Sequence, residues 1–240
     1  MTVAPVDGRY ESSDQRRRRL WIELAVTACV AVVPDLCYSL LPYDHGTART
    51  VVADAGALLA RSIGVSAPLL YMMWRSGDRW SRFGLVRWRW RVDGPLTLLL
   101  ITASIIAGFA WAGSMALMGR GTPIEASSPV PMQAASLRAL QAAAHVANGF
   151  AEEVAIWGVL YTRFQELVGR AVPAIIACAL AFASYHVYQG VPAALGVMVF
   201  GLVHGVVFAC TRRLWPLVAA HALHNIWIDW SAPLLDGYAL

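Results

Sequence analysis

The chain has 240 residues, with 19 basic and 15 acidic side chains for a net charge of +4; it is 58% apolar and only 14% charged, with a mean hydropathy of +0.54. A soluble domain is about a quarter charged and under half apolar. Composition therefore excludes disordered, collagen-like, coiled-coil and water-soluble architectures and leaves a polytopic membrane protein. All the basic residues are Arg. They gather where apolar runs end, so the positive balance is no argument for a nucleic-acid partner.

In chain order, residues 1–19 read as a polar tail ending in Arg16-Arg17-Arg18-Arg19, which faces the cytoplasm, and residues 20–240 as a transmembrane helical domain. Apolar runs lie at about 20–42, 53–74, 95–118, 136–168, 171–189, 192–210 and 214–235. Each approaches or exceeds the ~20 residues that cross ~30 Å of hydrocarbon as a helix. Lipid offers no hydrogen bonds to open backbone, so the runs are expected to be helical. The fold class is all-α, a membrane helical bundle of about seven (six to eight) spans. The fourth run is long for one span and is expected to project from the bilayer or bend near Gly149. Alternating the junctions places fifteen of the nineteen Arg on one side. By the positive-inside rule this puts the N-terminus in the cytoplasm and, after seven spans, the C-terminus outside. Trp80 to Trp90 read as an interfacial aromatic anchor. Cys29, Cys37, Cys178 and Cys210 sit in apolar runs without metal-finger spacing and are expected to be buried free thiols.

Ionisable groups inside a span are costly and mark function. Glu152-Glu153 interrupt the fourth run, Phe182 and His186 stand four apart near the end of the fifth, and His221 and Asn225 stand four apart in the seventh. Adjacent helical residues point about 100° apart. One carboxylate can therefore aim into a cavity while the other meets a flanking helix. Their proximity in low dielectric suits a general base. His221 and Asn225 share a helical face and offer a proton carrier and an oxyanion donor. His204 and His224 read as packing residues, and His145 as a cap two turns from Glu152. No zinc-protease HExxH, Walker loop, GxSxG elbow or dinucleotide fingerprint occurs, and nothing implies a nucleotide.

The three pairs in this order resemble the CPBP intramembrane proteases, the CAAX-protease and bacteriocin-processing group also called the Abi family. That group carries Glu-Glu-x-x-x-Arg-Gly, Phe-x-x-x-His and His-x-x-x-Asn on successive membrane helices. Glu152, Glu153 and Gly158 match the first motif, Phe182 and His186 the second, His221 and Asn225 the third. Phe200-Gly201-Leu202 through Trp215-Pro216-Leu217 resemble the link between the last two, and the likeness spans about residues 80–230, including Phe83-Gly84-Leu85. One position departs from it: the family Arg is Trp157 here, and Arg163 is too far along the helix to replace it. That role is then vacant or supplied by another helix.

The resemblance implies an endopeptidase that hydrolyses a peptide bond of a membrane-associated protein or peptide, expected in a bacterial cell membrane. Glu152 and His186 would activate water, His221 and Asn225 would stabilise the oxyanion, and Glu153 would orient the group or share its proton. A divalent ion such as zinc on Glu152, His186 and His221 would satisfy the three-ligand rule for a catalytic metal; a metal-free glutamate protease uses the same side chains. The implied partners are a peptide or protein substrate and the lipid bilayer. The rival is a catalytically altered or inactive membrane protein that binds a peptide or lipid-linked partner, as in bacteriocin self-immunity. A proton relay for transport would use the same groups, but the paired repeats common in transporters are absent from the sequence.

Overall fold

The computed structural model describes residues 12–40, 51–117 and 135–235. Within them the chain is an all-α membrane bundle. Counting each continuous run once, its long helices are α1 (Ser13–Leu40), α2 (Val51–Arg75), α3 (Trp90–Leu117), α4 (135–168), α5 (Ala171–Ser184), α6 (Val191–Thr211) and α7 (Trp215–Leu235). Four of them, α1, α2, α6 and the part of α3 from Trp90 to Trp111, are long and apolar enough to cross a bilayer. Large apolar side chains cover the outside of the bundle, including Trp21, Ile63, Leu98, Ile106, Phe109 and Val172. Buried charges lie within it. That inversion is stable only in an apolar solvent.

Helix α1 starts at Ser13, within the segment expected to be a tail. Ser12 Oγ accepts from Gln15 N–H at 3.2 Å, and Gln15 Oε1 accepts from Ser12 N–H at 2.9 Å. This capping box satisfies two otherwise orphan donors and lets the Arg cluster lie on the first turns of a helix. Arg9, Arg49 and Arg120 fall outside the described residues.

Helix α4 occupies the middle of the bundle, packed against α1, α2, α5 and α7, while α3 closes against α6 and α7. It runs unbroken from 135 to 168, and Gly149 marks no break in it. A Cβ at Gly149 would come within 3.3 Å of the Ala222 backbone N, so this glycine serves the close approach of α7. The departure from α geometry lies further on: Val154–Tyr161 forms π-helical turns directly after the Glu pair. Val154, Ala155, Ile156, Trp157, Val159 and Tyr161 in these turns are all buried, with Leu69, Met73, Leu100, Phe182, Phe208 and Leu217 packed in the same core.

At one end of the bundle the basic junctions are tied down by buried ions. Asp93, fully buried at the start of α3, holds the Arg213 guanidinium through its Nε and, at 2.6 Å, Nη2. Arg163, also fully buried, lies among Glu23, Asp78 at 2.8 Å and Glu166 at 3.2 Å, and sits over the Phe83 ring at 4.7 Å. Gly84 follows with φ +80°, where a Cβ would strike the Phe208 ring at 2.5 Å. Its carbonyl accepts from Leu214 N–H at 2.9 Å, stitching this turn to the start of α7. The cysteines are all free, but only Cys178 is buried; Cys29, Cys37 and Cys210 lie on the outer surface of the bundle. Apolar runs of lipid-facing helices have no polar face, so sequence alone could not separate the two situations.

Candidate active site

The Glu pair sits just past the midpoint of α4, and its two carboxylates diverge as adjacent helical residues must. Glu152 turns toward α2, where its Oε1 accepts from Arg61 Nη2 at 3.2 Å. Its Oε2 lies 3.5 Å from His221 Nε2. Glu153 turns into the bundle, where its Oε1 lies 2.7 Å from Nδ1 of His221 and 3.2 Å from Nδ1 of His204. Both carboxylates are buried, at 7% and 2% exposure. A carboxylate oxygen can only accept, so each of these Nδ1 atoms donates. That fixes the orientation of the His221 ring and presents its Nε2 to Glu152.

Aromatic rings hold the imidazoles in place. Phe200 stacks on His204 with centroids 4.0 Å apart and meets His221 edge-on at 5.3 Å. Phe182 stands between His186 and His221, with centroid separations of 4.9 and 6.0 Å. Helix α5 ends at Ser184, short of the expected end of its run, and Val187–Gln189 form a 3₁₀ turn. His186 therefore projects from a helix terminus. Its Nδ1 donates to the Phe182 carbonyl at 2.8 Å, which leaves the Nε2 lone pair free to take a proton. Its charged neighbours are Glu152, His221 and Arg61. Asn225 is half-buried on α7, one turn beyond His221. His224 packs on Phe200 with centroids 5.4 Å apart. His145 pairs instead with Asp229 of α7 at 2.6 Å.

Four residues of this cluster escaped the sequence reading. His204 has apolar sequence neighbours and reads from them as a packing residue; its partner Glu153 comes from α4. Arg61, Asp35 and Asn148 form the other missing group. Arg61 Nε donates to Asp35 Oδ1 at 2.9 Å, its Nη2 also bonds Asp35 Oδ2, and its Nη1 donates to Asn148 Oδ1 at 2.7 Å. A signal was present: Arg61 and Asp35 are opposite charges inside apolar runs, and the rule that singled out the Glu pair applies equally to them.

Trp157, at the position of the family Arg, is turned toward α6. Its ring packs over Gly205, where a Cβ would come within 2.5 Å of Trp157 Cη2. Glu152, His186 and His221 do not form a three-donor group: among the described residues no three His, Cys, Asp or Glu side chains are placed to hold a metal ion. Glu152 Oε1 is moreover bonded to a guanidinium, which opposes a second cation on the same carboxylate.

Inside this helical membrane bundle a buried carboxylate thus meets two imidazoles. Residues 134–227 match the family described as "Rce1-like: Type II CAAX prenyl endopeptidase Rce1-like". This matched segment is under half of the chain and contains Glu152, Glu153, His186, His204, His221 and Asn225; the likeness to that family is a property of the segment. No curated protein and no solved structure matches the chain.

Proposed function

We propose that the chain is a glutamate-type intramembrane endopeptidase that cuts a peptide bond of a membrane-associated protein or peptide. Glu152 Oε2 takes a proton from a water, the water oxygen attacks the scissile carbonyl carbon, and the carbonyl oxygen becomes an oxyanion. His221, in its charged form with a proton on each ring nitrogen, donates its Nε2–H to that oxyanion together with the Asn225 amide. Glu153 orients His221 through its Nδ1, and the Nε2 of His186 assists the proton transfer. The proton held by Glu152 then passes to the leaving amide nitrogen as the C–N bond breaks, which restores the carboxylate. The N-terminus faces the cytoplasm in this reading.

The observation that carries it is the convergence on His221 of both carboxylates, Glu152 at 3.5 Å and Glu153 at 2.7 Å. Glu152→Gln tests it, because the amide keeps the shape of the side chain but cannot serve as the base. Membranes from cells producing wild type and variant are compared by mass spectrometry of new protein termini. Termini that appear with wild type and vanish with Glu152→Gln identify the substrate, and purified protein should reproduce those cuts. Identical termini from both proteins would remove Glu152 as the base.

A further inference from the structure

Glu152 has two oxygens, and the chemistry proposed for it needs one of them free and aimed at water. In the bundle this division is made from outside the family-matched segment. Arg61 of α2 takes Oε1, and Oε2 is left facing His221. The guanidinium is itself held on its other side. Asp35 of α1 receives Nε and Nη2 as a two-pronged pair, and Asn148 receives Nη1. Asn148 and Glu152 are one turn apart on α4, so a single planar guanidinium spans both side chains of that face. Its three nitrogens are directed at three side chains on two other helices, Asp35 on α1 and Asn148 and Glu152 on α4, which leaves it no other orientation with the same bonds. Among the described residues Arg61 is the guanidinium that contacts Glu152.

We propose that Arg61, anchored by Asp35 and Asn148, is a positioning residue that clamps Glu152 Oε1 and so presents Oε2 to the reacting water. The assignment rests on the reading of Glu152 as the base. It makes α1 and α2 part of the working site, although the family match covers neither. A lysine has one charged nitrogen and cannot reach Asp35, Asn148 and Glu152 with fixed geometry. The clamp therefore requires the planar fork as well as the charge.

The test uses the full chain in lipid nanodiscs, with a substrate identified from the Glu152→Gln comparison. Arg61→Gln is expected to lower kcat about 100-fold with KM within about threefold, since a misplaced base costs rate and not binding. Arg61→Lys should recover no more than about a tenth of wild-type kcat, and Asp35→Asn should fall between Lys and wild type. Added methylguanidinium should restore part of the activity of Arg61→Gly, an effect that a purely structural role would not produce. Arg61→Gln with kcat within twofold of wild type overturns the proposal, and so does a loss that merely follows the folded fraction across all three variants.

A second measurement needs no substrate. Thermal unfolding of wild type, Arg61→Gln, Glu152→Gln and the double variant should show coupling, the double melting above the temperature expected from adding the two single shifts. Additive shifts would overturn the contact itself. Should Glu152→Gln cleave like wild type, the base assignment falls, and the melting cycle still decides whether Arg61 holds Glu152.

Discussion

Replacing Arg163 by Met removes a cation that is fully buried and surrounded by three carboxylates while keeping most of the side-chain volume. Glu23, Asp78 and Glu166 are 7%, 12% and 14% exposed at the side chain, so water can relieve little of the charge left behind. Breaking a buried ion pair on one side costs about 3–5 kcal/mol. The lost contact with the Phe83 ring, 4.7 Å away, adds to this. At about 2–4 °C per kcal/mol for a chain of this size, the expected drop is on the order of 10 °C, measured at pH 7 in detergent by the fluorescence of the ten Trp. The pH dependence gives a second handle. Burial raises the Asp78 carboxyl, but Arg163, Arg82 and Arg19 outweigh it and hold the group below its ordinary 3.8. A depressed carboxylate adds stability above its unfolded value, and that stability disappears as pH falls through the folded value. The wild type thus loses this contribution below pH 3.8, where protonation also relieves the repulsion in the variant. The gap between the two proteins should close on acidification. A variant that melts within 2 °C of wild type at pH 7, or a gap that stays constant down to pH 3, would refute the account. Restoring part of the loss by adding Glu23→Gln would support it.

Glu153→Gln should lower kcat by about 10²–10³ with KM little changed, because an amide can present either oxygen or nitrogen to His221 Nδ1 and carries no charge to hold the charged imidazole ring in place; a rate within threefold of wild type in the same cleavage assay would contradict that orienting role. Gly205→Ala places a methyl 2.5 Å from Trp157 Cη2 and 2.9 Å from Ile175 Cγ2, an overpacking that costs about 1–3 kcal/mol. Trp157→Phe in that background should recover most of the melting temperature, and a Gly205→Ala protein as stable as wild type would show that the ring can move. Exhaustive treatment with EDTA and phenanthroline should leave cleavage intact, whereas loss of activity that zinc restores would replace the glutamate mechanism with a metal-dependent one.

Much of the architecture was legible in the residues. Seven apolar runs, with Arg gathered at alternate junctions, correspond to seven long helices among the described residues because lipid leaves the backbone no partner but itself. The Glu pair, His186, His221 and Asn225 stood out because an ionisable group in such a run has no cheap structural excuse. Helix ends were less visible. The start of α1 depends on the Ser12–Gln15 capping box inside a polar stretch, and the early end of α5 replaces the expected continuous helix around His186. The π turns after Glu153 gave no signal in the sequence, since they follow from how α4 packs in the centre of the bundle.

What the sequence determined by itself, then, is the solvent this chain folds in and the set of groups able to do chemistry there. Local spacing can place His221 and Asn225 on one face, because one helix's geometry suffices for that. Which charge meets which is a matter of contacts between helices far apart in the chain. Tertiary structure alone decided that Glu152 faces Arg61 while Glu153 faces His204 and His221, that Trp157 turns to Gly205, and that Arg163 is enclosed by Glu23 and Asp78. In a bundle of apolar helices the rotation of each about its axis is set by packing with its neighbours, and that rotation determines which polar side chains meet.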